Sequence, residues 1–365
     1  MKRREILIGV GALTAVGGGG TYGTLHRMGS MTDYDAAMAT TRAALSARPG
    51  MLEFIRMATL APSGHNTQPW RFRIGKDHIE IVPDLSRITP VVDPDNHHLY
   101  VALGCAAENI VLAAGAGGYR GTVGFSAAND SVVTVSLEDG TAGDMALADA
   151  IPKRQSTRTE FDGQQVSNAD LQALSDAAGI PGVDVVLITD RLRKDKVCEL
   201  VIEGNTTQMT DPAFMRELKH WLRFNPREAL ETGDGLFSVL SGNPILPTWA
   251  GPGLFDCFVS AQSENEIYAS QLRSSSGIAV FVSEASGPEH WIQVGRSCER
   301  FALQATALGL KHAFVNQPVE VAALRPALAD LVGLGGRRPD ILMRFGHAAE
   351  RPFSARRSPQ AVILP

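Results

Sequence analysis

The sequence predicts an α+β fold made of two copies of one unit in a single chain, and three observations carry this. The segment Gly104 to Tyr119 lies over Gly295 to Leu310 without a gap, so that Gly, Glu, Leu, Ala, Ala and Gly coincide at a displacement of 191 residues. Leu52 to Pro62, followed by strand-like Phe72-Arg73-Ile74, matches Leu171 to Pro181, followed by Val183 to Ile188, at a displacement of 119. The 72 residues between the two displacements place an insertion in the second copy, within about residues 203–260.

Composition bounds the rest. A chain of 365 residues with 44% apolar and 20% charged residues is globular and long enough for two domains. The net charge is −5, and because residues 1–30 carry +3 the remainder carries −8, which argues against a nucleic-acid partner. The cysteines at 105, 198, 257 and 298 form no C-x-x-C pair and read as core residues. There is no H-E-x-x-H, and the adjacent His97 and His98 would point to different sides of a helix or strand, so no metal site is expected.

Taken in order, residues 1–30 begin with Lys2, Arg3 and Arg4, then an apolar run from Ile6 to Val16 and Gly17 to Gly20, the charged-then-apolar order of an export signal. Arg3-Arg4 with Ile6-Leu7 resembles a twin-arginine signal, and seven glycines between Ile6 and Leu25 disfavour a core helix. No A-x-A cleavage site follows, so an uncleaved N-terminal anchor is the other reading of the segment. Use of the leader implies the twin-arginine machinery as a partner and a periplasmic or membrane-tethered protein; without it the protein is cytoplasmic.

The first half, residues 31–150, holds the apolar helix from Leu52, the loop Ala61-Pro-Ser-Gly-His-Asn-Thr-Gln-Pro-Trp-Arg-Phe72, a strand, and the small-residue helix that ends near Tyr119. Small residues suit that helix to close packing on another, and a glycine stops it. The second half, residues 151–365, opens with Arg154-Gln-Ser-Thr-Arg-Thr-Glu-Phe161 ahead of a helix that Ser167-Asn168 would cap. Its insertion has Phe214, Leu218, Trp221 and Leu222 at helical spacing, then the irregular Gly233-Asp-Gly235 and the proline-rich Asn243 to Pro252. Two readings of the insertion stand: a lid over the site, or a surface excursion on its own domain.

The copies have complementary losses. The second lacks the P-S-G-H-N loop, and shifting the arginine motif back by 119 lands on Asp35-Ala-Ala-Met-Ala, with neither arginine. One composite site at the interface would require this.

A P-S-x-x-N-x-Q-P-W loop together with R-x-S-x-R resembles the FMN-dependent nitroreductase family. The match continues in Trp291, the helix Gly295 to Gly309, the strand Asp340 to Gly346 and the late Arg356-Arg357, and with the leader and the insertion it is most like the Acg-type subfamily. The family's homodimers bind FMN between subunits. The resemblance therefore implies two fused nitroreductase-like halves forming an intramolecular pseudo-dimer, a monomer or weak dimer in solution. By the same resemblance, Arg154 and Ser156 hold the FMN phosphate, aided by Arg356 or Arg357. Arg158 lies nearer the ribityl chain or the N1 edge, and Pro62, Ser63, Gly64, Asn66 and Gln68 meet the ring. Guanidinium groups suit a phosphate and a fixed cation stabilises reduced flavin, while a carboxamide donates and accepts as the flavin pyrimidine does.

Plainer roles compete with each assignment. Arg154 and Arg158 also read as a solvated run with Lys153, Asn66 and Gln68 as turn residues before Pro69, Trp70 as core, and Arg356-Arg357 as a soluble tail. A Ser63–His65 hydrolase pair lacks a nucleophile elbow. The implied function is NAD(P)H-dependent ping-pong hydride transfer through flavin N5 to a small nitroaromatic, quinone or other unsaturated acceptor, with no catalytic side chain because flavin performs the chemistry. The alternative is an FMN-sequestering protein with little turnover.

Overall fold

The computed structural model describes residues 27–128, 131–140 and 143–365. Nearly all of the segment read as an export signal lies outside the described residues. Ser30 caps α1 (Met31–Thr41) by accepting from the Asp33 amide, and α2 (Met51–Thr59) turns Phe54, Ile55, Met57 and Ala58 inward. Then come β1 (Trp70–Ile74), β2 (His78–Pro83), α3 (His97–Ala116), β3 (Tyr119–Ser126), β4 (Val132–Asp139) and the short α4 (Met145–Ala150). The four strands pair antiparallel in the order β1-β2-β4-β3.

The second half repeats that plan around a long excursion. Ser167 caps α5 (Asn168–Ala177), and β5 (Val183–Ile188) follows. The excursion holds α6 (Arg191–Thr210), α7 (Pro212–His220), β6 (Leu222–Arg223), α8 (Pro226–Thr232), β7 (Leu236–Phe237), α9 (Gly251–Phe258) and α10 (Ala261–Arg273). The chain resumes with β8 (Gly277–Ser283), α11 (Pro288–Ala307), β9 (Lys311–Phe314), α12 (Gln317–Glu320), α13 (Arg325–Val332), β10 (Ile341–Gly346) and α14 (Pro359–Val362). Its sheet order is β5-β8-β10-β9, again first-second-fourth-third and again antiparallel. Where residues 75–77 turn β1 into β2, residues 189–276 separate β5 from β8. The excursion is thus wider than the expected 203–260, because α6 and α10 flank it and have no counterpart in the first half.

The long helices α3 and α11 lie back to back between the sheets, and one apolar core runs through both helices and both sheets. Their closest approach is at Gly104 and Gly295, the matched glycines of the repeat. A Cβ on Gly104 would stand 2.1 Å from the Ile292 carbonyl oxygen, and one on Gly295 would stand 2.0 Å from that of Val101. Only glycine lets the backbones approach this closely. By length and composition α3 could cross a membrane, but here it is the central core helix. The C-terminus returns to the first half, where the Leu364 amide donates to the Phe72 carbonyl at 2.7 Å beside β1. Cys105, Cys198 and Cys298 are buried; Cys257, expected in the core, is exposed on α9, whose Leu254, Phe255 and Phe258 line the cavity instead.

Candidate functional site

Between the halves lies a cavity of about 570 Å³, in the size range of small-molecule and cofactor pockets. Pro62, Ser63, Gly64 and His65 of the first half line it, α3 and α11 meet it through Cys105 and Cys298, and the second half contributes Arg158 and Phe314. The excursion closes the remaining side, with the Phe214 ring edge-on to the His65 ring at 6.5 Å.

The loop that carries the first-half residues is strained. His65, Asn66 and Gln68 have φ of 47°, 55° and 54°, the left-handed region that non-glycine residues seldom occupy. Such geometry persists only where surrounding contacts over-determine it. The Gln68 amide donates to Ser63 Oγ at 2.9 Å inside the loop, and the outer contacts come from two distant segments. Asn66 Nδ2 donates to the Gly235 and Ala355 carbonyls at 3.0 and 3.1 Å, while Asn66 Oδ1 accepts from Arg356 Nη1 at 2.6 Å. Gln68 Nε2 donates to the Gly233 carbonyl at 2.8 Å, and its Oε1 accepts from the Arg357 amide at 2.9 Å.

These contacts give several of the expected cofactor ligands protein partners instead. Asn66, Gln68, Arg356 and Arg357 do not line the cavity; they clamp the loop to the excursion and to the C-terminal tail. The physical reason is satisfaction of buried polar groups, since each carboxamide has its donors and acceptor matched by protein. Arg356 also donates to the Leu60 and Ala61 carbonyls at 3.3 and 3.4 Å, and Arg357 to the Gln68 carbonyl at 3.2 Å. Arg154, expected on a phosphate, is 1% exposed, donates to the Leu60 carbonyl at 2.7 Å and lies 3.1 Å from Glu299. Neither is it the solvated run of the competing reading. Ser156 runs beside β9 in a backbone bridge to His312 and does not line the cavity. Pro62, Ser63, Gly64 and Arg158 do line it.

Arg158 differs from the other arginines. Among the described residues no hydrogen bond or ion pair holds its guanidinium, which burial pulls below its usual range, with Arg154 adding to the effect. Around it the charge is one-sided. Burial, then Arg356 and Arg154, lowers Arg42 far below the ordinary guanidinium value. Burial, then Arg154, lowers Arg356 to about 9, and burial, then Arg154 and Lys311, lowers His312 well below the usual imidazole range. Glu299 stands against this cluster, its carboxyl raised by burial despite Arg154. Arg154 Nη1 and both ring nitrogens of His312 are buried without a hydrogen-bond partner among the described residues. Buried cations in excess of carboxylates, with one guanidinium facing a cavity, suit an anionic ligand.

Sequence reasoning missed the opposite wall. There Gln208 Nε2 donates to Glu320 Oε2 at 2.6 Å, and Tyr268, pushed up to about 12 by burial, is hydrogen-bonded to Gln317. Burial, then Arg158 and His98, drives His65 down to about 4, so its ring is neutral at pH 7. Apart from His65 of the loop, these residues come from α6, α10, α12 and the N-terminal side of α3, and no motif links them.

No family model matches the chain. A Mycobacterium tuberculosis protein named "Putative NAD(P)H nitroreductase Rv3131" is 28% identical over 306 residues, covering 80% of this chain and 84% of that one. The one named "Putative NAD(P)H nitroreductase acg", from the same organism, is 25% identical over 308 residues, with 81% and 88% covered. Among solved structures, a nitroreductase with bound FMN from Desulfitobacterium hafniense aligns at 15% identity over 59% of this chain and 96% of that one, with a TM-score of 0.39. The FMN-dependent nitroreductase NfnB from Mycobacterium smegmatis, in complex with NADPH, aligns at 13% over 60% and 93%, with a TM-score of 0.37. Over four-fifths of its length, then, this chain is a homologue of the mycobacterial proteins that bear the NAD(P)H nitroreductase name, acg among them.

Proposed function

We propose that the chain is an FMN-binding NAD(P)H oxidoreductase of the nitroreductase type, with one cofactor held between its two halves. The observation that carries this reading is the cavity itself: a free guanidinium, Arg158, on one side, and the strained loop Pro62-Ser63-Gly64 of the other half facing it. The residues fit an anionic, flat, partly polar group. Arg158 would neutralise negative charge, the orphaned donors behind it add positive potential, and Ser63 and the loop backbone offer polar atoms to a ring edge. FMN, when bound, supplies the hydride acceptance and donation. The protein's own part is to orient the group and to exclude water, and His65 stays neutral beside it, so it adds no competing cation.

The domain plan, localisation and solution state belong to the same proposal. The repeated sheet order supports an intramolecular pseudo-dimer, which needs no second chain to complete its site, so monomer or weak dimer is the expected state. Export by the twin-arginine route rests on the arginine pair and apolar run of residues 1–16, with a small-molecule acceptor then reduced outside the cytoplasm.

One observation favours the second reading, sequestration. The excursion forms a wall of the cavity and sets Phe214 against His65, as a lid that limits access would. Anaerobic mixing of the flavin-loaded protein with NADPH or NADH, followed by flavin absorbance, separates the two. Bleaching within seconds is the expected result; a flavin inert to both donors would replace turnover by sequestration.

A further inference from the structure

The cavity wall supplied by the middle of the excursion, residues 209–259, differs chemically from the rest. Sixteen residues between Met209 and Val259 line the cavity; thirteen have hydrocarbon or thioether side chains, including Phe214, Leu218, Leu246, Leu254 and Phe255, and none is charged. Its polar exceptions are Ser238, Ser241 and Asn243; other polar groups of the cavity come from the flanking segments, where Gln208 bonds to Glu320 and Tyr268 to Gln317. The cavity therefore has a polar end, near Arg158 and the strained loop, and an apolar arm under the excursion. Phe258 lines the cavity and is also 43% exposed, so the arm reaches the surface; Trp249 of the same segment is 81% exposed.

Charge narrows the occupant of that arm. Among the described lining residues, Arg158 is the one arginine or lysine, and the two carboxylates are Glu264 and Glu320. A dinucleotide pyrophosphate or a fatty-acid carboxylate needs cations that the arm does not present. A neutral aliphatic chain needs none, and gains from every methylene it removes from water.

We propose that the acceptor is a neutral molecule with a flat polar head and a long aliphatic chain, of the class of a long-chain quinone, whose chain lies in the arm between Phe214 and Phe258. This rests on the flavin reading, which places the head at the polar end. At about 0.8 kcal/mol, each buried methylene tightens binding roughly fourfold, so three of them give about fiftyfold.

The test uses the purified full chain and two probes, a dimethoxy-methyl-benzoquinone and the same ring with a decyl chain. Binding is read by quenching of tryptophan fluorescence, and flavin content by absorbance. The decyl compound should bind at least tenfold more tightly than the bare ring. Leu254→Glu and, separately, Leu246→Glu each put a carboxylate in the arm at a half-buried position, and should abolish that preference while leaving the bare ring's affinity and the flavin content unchanged. Equal affinities in the parent overturn the proposal, and so does a preference that survives in a folded variant. A flavin-free protein that prefers the chain sinks the flavin reading but supports the arm, whereas a yellow protein with no preference sinks the arm alone.

Discussion

Asn66 clamps the loop behind the cavity and Arg158 faces into it, and the two do opposite work. Asn66 holds three buried partners in a left-handed conformation that asparagine tolerates better than alanine. Asn66→Ala should cost about 2–4 kcal/mol in denaturant unfolding, since it strands the buried Arg356 and forces alanine to a positive φ. Unchanged stability would mean that the clamp contributes nothing. Arg158→Ala removes a buried charge with no protein partner, so the melting temperature should hold or rise. FMN affinity should fall by about tenfold to a hundredfold, from loss of a charge-assisted contact of roughly 1.5–3 kcal/mol. His65 gives a pH dependence with a definite sign. Its neutral ring is favoured by folding: an unfolded histidine takes its proton near pH 6.5, the folded one near 4. The stability it contributes is complete above about pH 6.5 and is lost as pH falls towards 4. Stability measured across that window should fall less steeply in His65→Asn, which keeps a residue suited to φ of 47°. At this scale the sequence showed where the loop was, but not where its groups bond. A motif lists donors and acceptors; their partners Gly233, Gly235 and Ala355 arrive from far along the chain.

The two central helices were legible as elements. Small residues, a shared spacing and terminal glycines marked both, and Gly118 and Gly309 do adopt positive φ just beyond them. What pattern alone did not reveal was that Gly104 and Gly295 are the point of contact, because close backbone approach leaves no mark beyond the glycine itself. Gly295→Ala drives a methyl into the Val101 carbonyl, and helix backbones cannot yield cheaply. It should lower the melting temperature by about 10 °C or more, or prevent folding. Gly253→Ala is the control. Its Cβ meets nothing within 4 Å on α9, so the change should be neutral or gain up to about 1 kcal/mol. Equal behaviour of the two variants in thermal melts would contradict the packing described. The excursion's helix was legible from its spacing as far as Leu218, but α7 ends at His220, so that Trp221 caps it and Leu222 lies in β6; the Tyr268, Gln317 and Glu320 wall was not legible, since single polar residues on otherwise ordinary helices carry no periodic signal.

At the scale of the whole molecule, chain connectivity builds the site. The tail of the second half crosses to β1 of the first, the excursion is tied to the loop through Gly233 and Gly235, and one cavity results with contributions from both halves. The repeat and the complementary losses pointed to such a composite, because each half keeps a segment the other lacks. The partners of the arginines were not legible, since a buried counter-ion such as Glu299 cannot be paired with Arg154 at a separation of 145 positions by spacing alone. The most direct test of the account is a titration of flavin-stripped protein with FMN, followed by quenching of flavin fluorescence, in parent and Arg158→Ala. The account predicts saturation at one FMN per chain in the parent and a clearly weaker curve in the variant. No binding, two equivalents per chain, or identical curves for parent and variant would contradict it.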